Sequence, residues 1–234
     1  GFGLTEKRPS KAIARFNTPA ARWPRQEIGV AKRSLQVDGV VVVFDVFKIG
    51  IGPSSSHTMG PMTAARRFLD ELATGNWPRA AQARPAALTA SLHGSLAFTG
   101  IGHGSGRAVI LGLCGQDPKT VDPDAMDALI AQAEASGTVH PPGHPVYRFR
   151  PAVDLVFDKK TPLRGHPNGL QFAAYDGDGQ LLLRRAYFSI GGGFVVSAEE
   201  LGALMQSKPT STDVPYPFAN AKDMLAMAAA SGLS

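Results

Sequence analysis

The sequence predicts an α+β domain, in which an antiparallel or mixed sheet packs against helices. Three observations lead there. PDAMDALIAQAEASG (Pro123 to Gly137) opens on Pro and Asp, carries apolar residues at helical spacing and closes on Gly, which is a helix with both ends marked. YRFRPAVDLVFD, from Tyr147, alternates apolar and polar residues as strands do. LQFAAYDGDGQLLLRRAYFSIGGG (Leu170 to Gly193) alternates again, and its DGDG at 176 to 179 marks a hairpin. Helices mixed with antiparallel strands argue against a doubly wound parallel sheet.

Taken in order, VDGVVVVFDVFKIG (Val37 to Gly50) contains a β-branched run compatible with either a buried strand or a helix start. PSSSHTMGP then supplies helix-starting chemistry, hydroxyl caps and Pro61 near the first turn, and predicts a helix beginning just after His57 and continuing from about Met62 to Leu72. Residues 74 to 87 read as loop, and LTASLHGSLAFTG (Leu88 to Gly100) as a strand ending in glycine. GIGHGSGRAVILGLCG (Gly100 to Gly115) reads as a glycine-rich turn feeding an apolar helix. SKPTSTDVPYP (Ser207 to Pro217) is polar and turn-rich, and AKDMLAMAAASG (Ala221 to Gly232) is a further helix.

The formal charge of +5 is unevenly placed. Residues 1 to 40 hold eight Lys/Arg against three Asp/Glu, whereas residues 41 to 234 hold sixteen of each. The basicity thus belongs to a leader read as disordered or non-native, and the remainder lacks the basic stripe that nucleic-acid binding requires. No apolar stretch is long enough to cross a bilayer. A single cysteine, Cys114, excludes an internal disulfide and any all-cysteine metal site made by this chain alone, and fits a reducing compartment such as the cytoplasm.

The densest chemistry is PSSSHT (Pro53 to Thr58). Hydroxyls and helix-start N–H groups together suit a small anion such as a carboxylate, and His57 adds a base of near-neutral pKa beside it. Taken alone, the plainer reading is a serine cap with a solvated histidine. A serine nucleophile activated by His57 is disfavoured, because neighbouring side chains at a turn rarely face each other and no orienting acid is evident. GHGSG around His103 lacks the Lys-Ser/Thr ending of a P-loop and reads as close backbone packing, with His103 structural or pocket-lining. RGHPNG places His166 and Asn168 in a proline-fixed turn, ordinarily a strand connection. SIGGGF has three glycines after a strand, a mark of backbone freedom or close approach. His93, His140 and His144 read as structural or solvated, and no histidine spacing marks a metal site.

The order of these motifs along the chain, VFDVFKIGIGPSSSHTMGPMTAARRFLDEL, HGSLAFTGIGHGSGRAVILGL, HPNGLQF, YFSIGGGF and VPYPFANAKDML, resembles the N-terminal β domain of bacterial iron–sulfur L-serine dehydratases of the single-chain type. The resemblance runs from about Val43 to the end. It implies a β domain over 41–196, with 197–234 a linker and first helix toward a C-terminal catalytic domain whose cysteines hold a 4Fe–4S cluster. This chain alone would not bind that cluster and would be inactive. The implied reaction converts L-serine to pyruvate and ammonia in the cytoplasm, in a homo-oligomer. The resemblance gives the base role to His57 and the carboxylate clamp to Ser54, Ser55, Ser56 and Thr58, with His166 and Asn168 as further substrate contacts. One departure stands out: the family's usual GHGTD is GHGSG here, so Gly106 replaces an acid. A second reading is a non-catalytic amino-acid effector module, since similar domains in a serine-biosynthetic dehydrogenase bind regulatory ligands. A stand-alone phosphate-binding protein is a third.

Overall fold

A computed structural model describes residues 49–78, 80–206 and 220–231. The leader, the run from 37 to 48 and the turn-rich patch from 207 to 217 lie outside the described residues.

The chain enters through a π-helical turn, Ser55–Met59, that runs directly into α1 (Gly60–Thr74). Helical winding therefore starts earlier than the sequence suggests, and His57 sits inside the first turn rather than ahead of it. Pro61 occupies a first-turn position where its missing N–H costs nothing, and Gly75 closes the helix in the left-handed conformation. Met62, Ala65, Phe68, Leu69 and Leu72 form the buried face of α1.

Strand β1 (Ala87–Gly94) is followed without a loop by the short helix α2 (Ser95–Thr99). The strand expected over Leu88 to Gly100 thus ends at Gly94, where the chain turns sharply. Helix α3 (Ser105–Leu113) packs beside α1, and α4 (Met126–Ser136) follows a single 3₁₀ turn, Pro123–Ala125, whose Asp122 side chain caps the Asp124 N–H.

The run from Tyr147 keeps its alternation at both ends but not in the middle. β2 (Thr138–Val139) pairs with β3 (Tyr147–Arg148), the helical turn α5 (Pro151–Asp154) interrupts, and β4 (Leu155–Asp158) resumes. Pro151 cannot donate to a ladder, and the Asp154 carboxylate accepts the Arg150 N–H at 2.8 Å, which stabilises the turn instead. β5 (Asn168–Tyr175) and β6 (Leu181–Gly191) form the hairpin that DGDG foretells, and β7 (Phe194–Ser197) leads into α6 (Ala198–Gln206); α7 spans Ala221–Ser231.

The result is one seven-stranded mixed sheet of order β2-β3-β1-β5-β6-β7, with β4 also on β1. β3 and β4 run parallel to β1, and the pairs β1–β5, β5–β6 and β6–β7 are antiparallel. The fold is α+β. Its core lies between α1 and the sheet, where Phe68 stacks on Phe172 with centroids 5.4 Å apart and Leu88, Leu92, Leu111, Leu170 and Tyr187 complete the layer.

The same face is pinned by polar bonds. Glu71 of α1 accepts from the Tyr187 hydroxyl at 2.6 Å and from Arg185 Nε at 2.7 Å, and Arg67 lies over the Tyr187 ring while binding Glu200. Tyr187 has no exposed surface, so its hydroxyl depends on Glu71. Replacing Tyr187 by phenylalanine is expected to destabilise the chain by about 1.5–3 kcal/mol, the range for a hydrogen bond to a charged partner. Urea titrations of the two proteins would measure it, and equal midpoints would count against the pinning role.

Candidate active site

Three of the motifs meet at one end of the sheet because the backbone joins them there. Ser95 donates its N–H to the Pro167 carbonyl at 2.8 Å, and Gly94 pairs in register with Asn168, so the HPNG turn lies against the β1–α2 junction. That contact needs a glycine: Gly94 has φ 58° and ψ −131°, and a Cβ on it would stand 2.2 Å from the Pro167 oxygen. Asn168 Nδ2 donates to the Ser189 carbonyl at 3.0 Å, which ties the start of SIGGGF to HPNG. Ser189 in turn lies under the start of α1, with its Oγ 2.0 Å from where a Gly60 Cβ would be. Its hydroxyl is fully buried and has no hydrogen-bond partner among the described residues.

Within the PSSSHT turn the Ser54 side chain caps the helix, accepting the His57 N–H at 3.2 Å, and the Ser54 carbonyl accepts from Thr58 N at 2.9 Å. Ser55 and Ser56 N–H precede that first ladder bond, where a helix start leaves donors unspent. Ser54, Ser55, Ser56 and His57 are half-buried and Thr58 is buried. Ser56 Oγ approaches His57 Nδ1 at 2.9 Å and Ser54 Oγ at 3.4 Å. Neighbouring side chains do face each other here, contrary to the sequence expectation: Nδ1 is the ring nitrogen nearer the backbone and folds back onto the preceding hydroxyl.

The other ring nitrogen, Nε2, lies 3.1 Å from Ser95 Oγ, a residue 38 positions away that the sequence reading did not single out. The His57 and His103 rings stand 4.9 Å apart at 43°. Burial, together with the nearby His103, lowers the His57 pKa below the ordinary 6.5, which favours the neutral ring over the imidazolium. His103 itself is fixed by Nδ1 donating to the Thr99 carbonyl at 2.9 Å. Thr58 Oγ1 donates to the His103 carbonyl at 2.8 Å, so its hydroxyl proton is committed in this arrangement, and the buried Ser105 hydroxyl donates to the His57 carbonyl. His166 accepts the Asn168 N–H on Nδ1 at 3.2 Å, which leaves its ring proton on Nε2.

The glycine in place of the family's acid points elsewhere. A Cβ on Gly106 would meet Phe157 at 3.2 Å and Leu155 at 3.4 Å, so a side chain there starts toward β4. Of the remaining histidines, His93 is buried between Ser91 and the Thr161 carbonyl, and His144 bonds the Tyr147 hydroxyl. No helix among the described residues is long and apolar enough to cross a membrane.

Comparison with known proteins identifies this assembly of motifs. The family model of the serine dehydratase beta chain matches residues 42–200. The L-serine dehydratase of Streptomyces coelicolor is 40% identical over 194 residues, covering 83% of this chain and 42% of that protein. L-serine dehydratase TdcG of Escherichia coli is 38% identical over 196 residues, covering 83% of this chain and 41% of its own, and the Haemophilus influenzae L-serine dehydratase is 36% identical over 195 residues with the same two coverages. The chain spans about two-fifths of the length of these relatives.

Proposed function

Because the chain belongs to the serine dehydratase beta chain family, we propose that it forms the part of an L-serine dehydratase that holds the substrate carboxylate and removes the α-proton. The observation that carries this reading is the His57 ring, hydrogen-bonded at both nitrogens beside a turn rich in hydroxyl and N–H donors. L-serine would set its carboxylate against Ser54, Ser55 and Ser56 and the open N–H groups of the turn. Thr58 would join this clamp only by exchanging its bond to the His103 carbonyl, and His166 and Asn168 would approach from the HPNG side. His57 then takes the α-proton: the Cα–H bond breaks, an N–H bond forms on the imidazole, the electron pair becomes a Cα=Cβ bond and the Cβ–O bond breaks to release hydroxide, which with the proton held by His57 makes up the one water lost and returns the ring to its neutral form. Hydrolysis of the resulting enamine gives pyruvate and ammonia.

The resemblance assigns departure of the hydroxyl to a 4Fe–4S cluster. The residues of this chain do not fit such a group. Burial pushes the thiol of its one cysteine, Cys114, up to about 11, and the described residues contain no group of three or more His, Cys, Asp or Glu that could hold a metal ion. The cluster would be held by the remaining length that the relatives carry, facing a surface on which Phe98 and Ile101, between Ser95 and His103 in the chain, are exposed.

Two assays test this reading. Supplied with iron and sulfide, the chain alone is expected to form no pyruvate from L-serine, and the chain joined to the remaining length of the Streptomyces coelicolor relative, hereafter the completed enzyme, is expected to form it. L-serine, but not phosphate, is expected to shift the His57 ring resonances of the chain. Robust turnover by the chain alone would overturn the division of labour, and a response to phosphate alone would favour an anion-binding module.

A further inference from the structure

In an α-helix the His57 carbonyl would accept from the N–H four positions along the chain, and that position is Pro61, which has none. A donor arrives from elsewhere. Ser105, 48 residues away at the first position of α3, gives its hydroxyl proton to this carbonyl. Ser105 has no exposed surface and spends its own N–H on the Gly100 carbonyl at 2.8 Å, so its hydroxyl is the one donor it has for His57.

A second bond crosses the same gap in the opposite direction. Thr58, the residue after His57, donates its hydroxyl proton to the His103 carbonyl at 2.8 Å. The peptide of each histidine is thus held by a hydroxyl from the segment of the other, and both hydroxyls belong to buried residues, where water competes little for the carbonyls. Serine and threonine side chains are short, so these bonds fix the two backbones closely. The rings they carry stand 4.9 Å apart.

We propose that Ser105 is a positioning residue for His57: its hydroxyl takes the place of the N–H that Pro61 lacks and, with Thr58, latches the PSSSHT turn to the GHGSG loop so that the base keeps its place beside His103. This rests on the reading of His57 as the base. Without the Ser105 hydroxyl, a buried carbonyl loses its donor and the first turn is free to shift. Thr58 thereby acts through the latch, staying on the His103 carbonyl when L-serine binds.

The first arm needs no turnover: the histidine rings of the chain, without substrate, are titrated by proton NMR. Held beside His103, His57 titrates below 6.5. In Ser105→Ala the rings are expected to separate and the His57 pKa to rise toward 6.5. Ser105→Thr, which keeps the hydroxyl and restores the residue of the family's usual GHGTD, is expected to keep the lowered value. Thr58→Val breaks the latch from its other side and is expected to give the same rise, with the double variant rising no further than the larger single change. In the completed enzyme, Ser105→Ala is expected to lower kcat by about 10- to 100-fold, with KM for L-serine changed far less, and Ser105→Thr to recover most of the loss. An unchanged His57 pKa in Ser105→Ala, or in Thr58→Val where Ser105→Ala does not fold, overturns the latch. A normal kcat in Ser105→Ala beside an inactive His57→Ala, or a rise in KM alone, overturns the positioning role. If His57→Ala itself turns over normally, it is the base assignment that has failed, and the ring titrations still decide the latch.

Discussion

Replacing His57 by alanine in the completed enzyme is expected to lower kcat for L-serine by about 10²–10⁴-fold, the span contributed by a well-placed general base. The iron–sulfur absorbance should be unaffected, because no described residue near His57 belongs to a metal-holding group. The size of the loss follows from where the ring sits. It is half-buried, flanked by hydroxyls at both nitrogens and 4.9 Å from the His103 ring, so few arrangements of water can take its place. A His57→Ala enzyme with near-normal maximal rate but altered cooperativity would instead favour the effector-module reading, in which the same turn binds an amino acid without acting on it.

The second large effect is structural. Gly94→Ala is expected to destabilise the chain by about 3 kcal/mol or more, and to lower its melting temperature by roughly 6–12 °C. Two costs add there. The backbone has φ 58° and ψ −131°, which an L-residue rarely adopts, and the new methyl would lie 2.2 Å from a carbonyl oxygen that cannot swing aside, because it accepts the Ser95 N–H. Gly179 separates these terms: its φ is +80° but nothing lies within 4 Å of a Cβ placed on it, so Gly179→Ala should lose only about 1 kcal/mol from the strained conformation. Thermal unfolding of both variants measures the difference. Equal losses would mean that the close approach of Pro167 contributes nothing.

What the sequence made legible was local. Helices α1 and α4 and the β5–β6 hairpin follow from caps, periodicity and the DGDG turn, all carried by residues near one another in the chain. PSSSHT could be recognised as a helix start for the same reason. The end of β1 was missed because SLAFT continues the apolar run, and what stops the strand is a carbonyl of Pro167, far along the chain. The helical turn at Pro151–Asp154 escaped because the alternation resumes in phase on its far side.

At the site, residue types were legible and bonding was not. Ser95 carries no local signal beyond a serine after a glycine; its importance lies in a 3.1 Å contact across 38 residues that only the sheet register creates. The sequence disfavours the Ser56–His57 contact because neighbouring side chains at a turn rarely face each other, a rule about Cβ directions that a ring nitrogen close to the backbone evades.

The acid limb of kcat/KM for L-serine in the completed enzyme, measured alongside His57→Ala, tests the central claim most directly. A base must be unprotonated, and burial beside His103 lowers the His57 pKa, so activity should persist below pH 6.5 before it falls. The residual rate of His57→Ala should lack that limb. The same limb at the same pH in the alanine variant would show that another group takes the α-proton and would contradict the account.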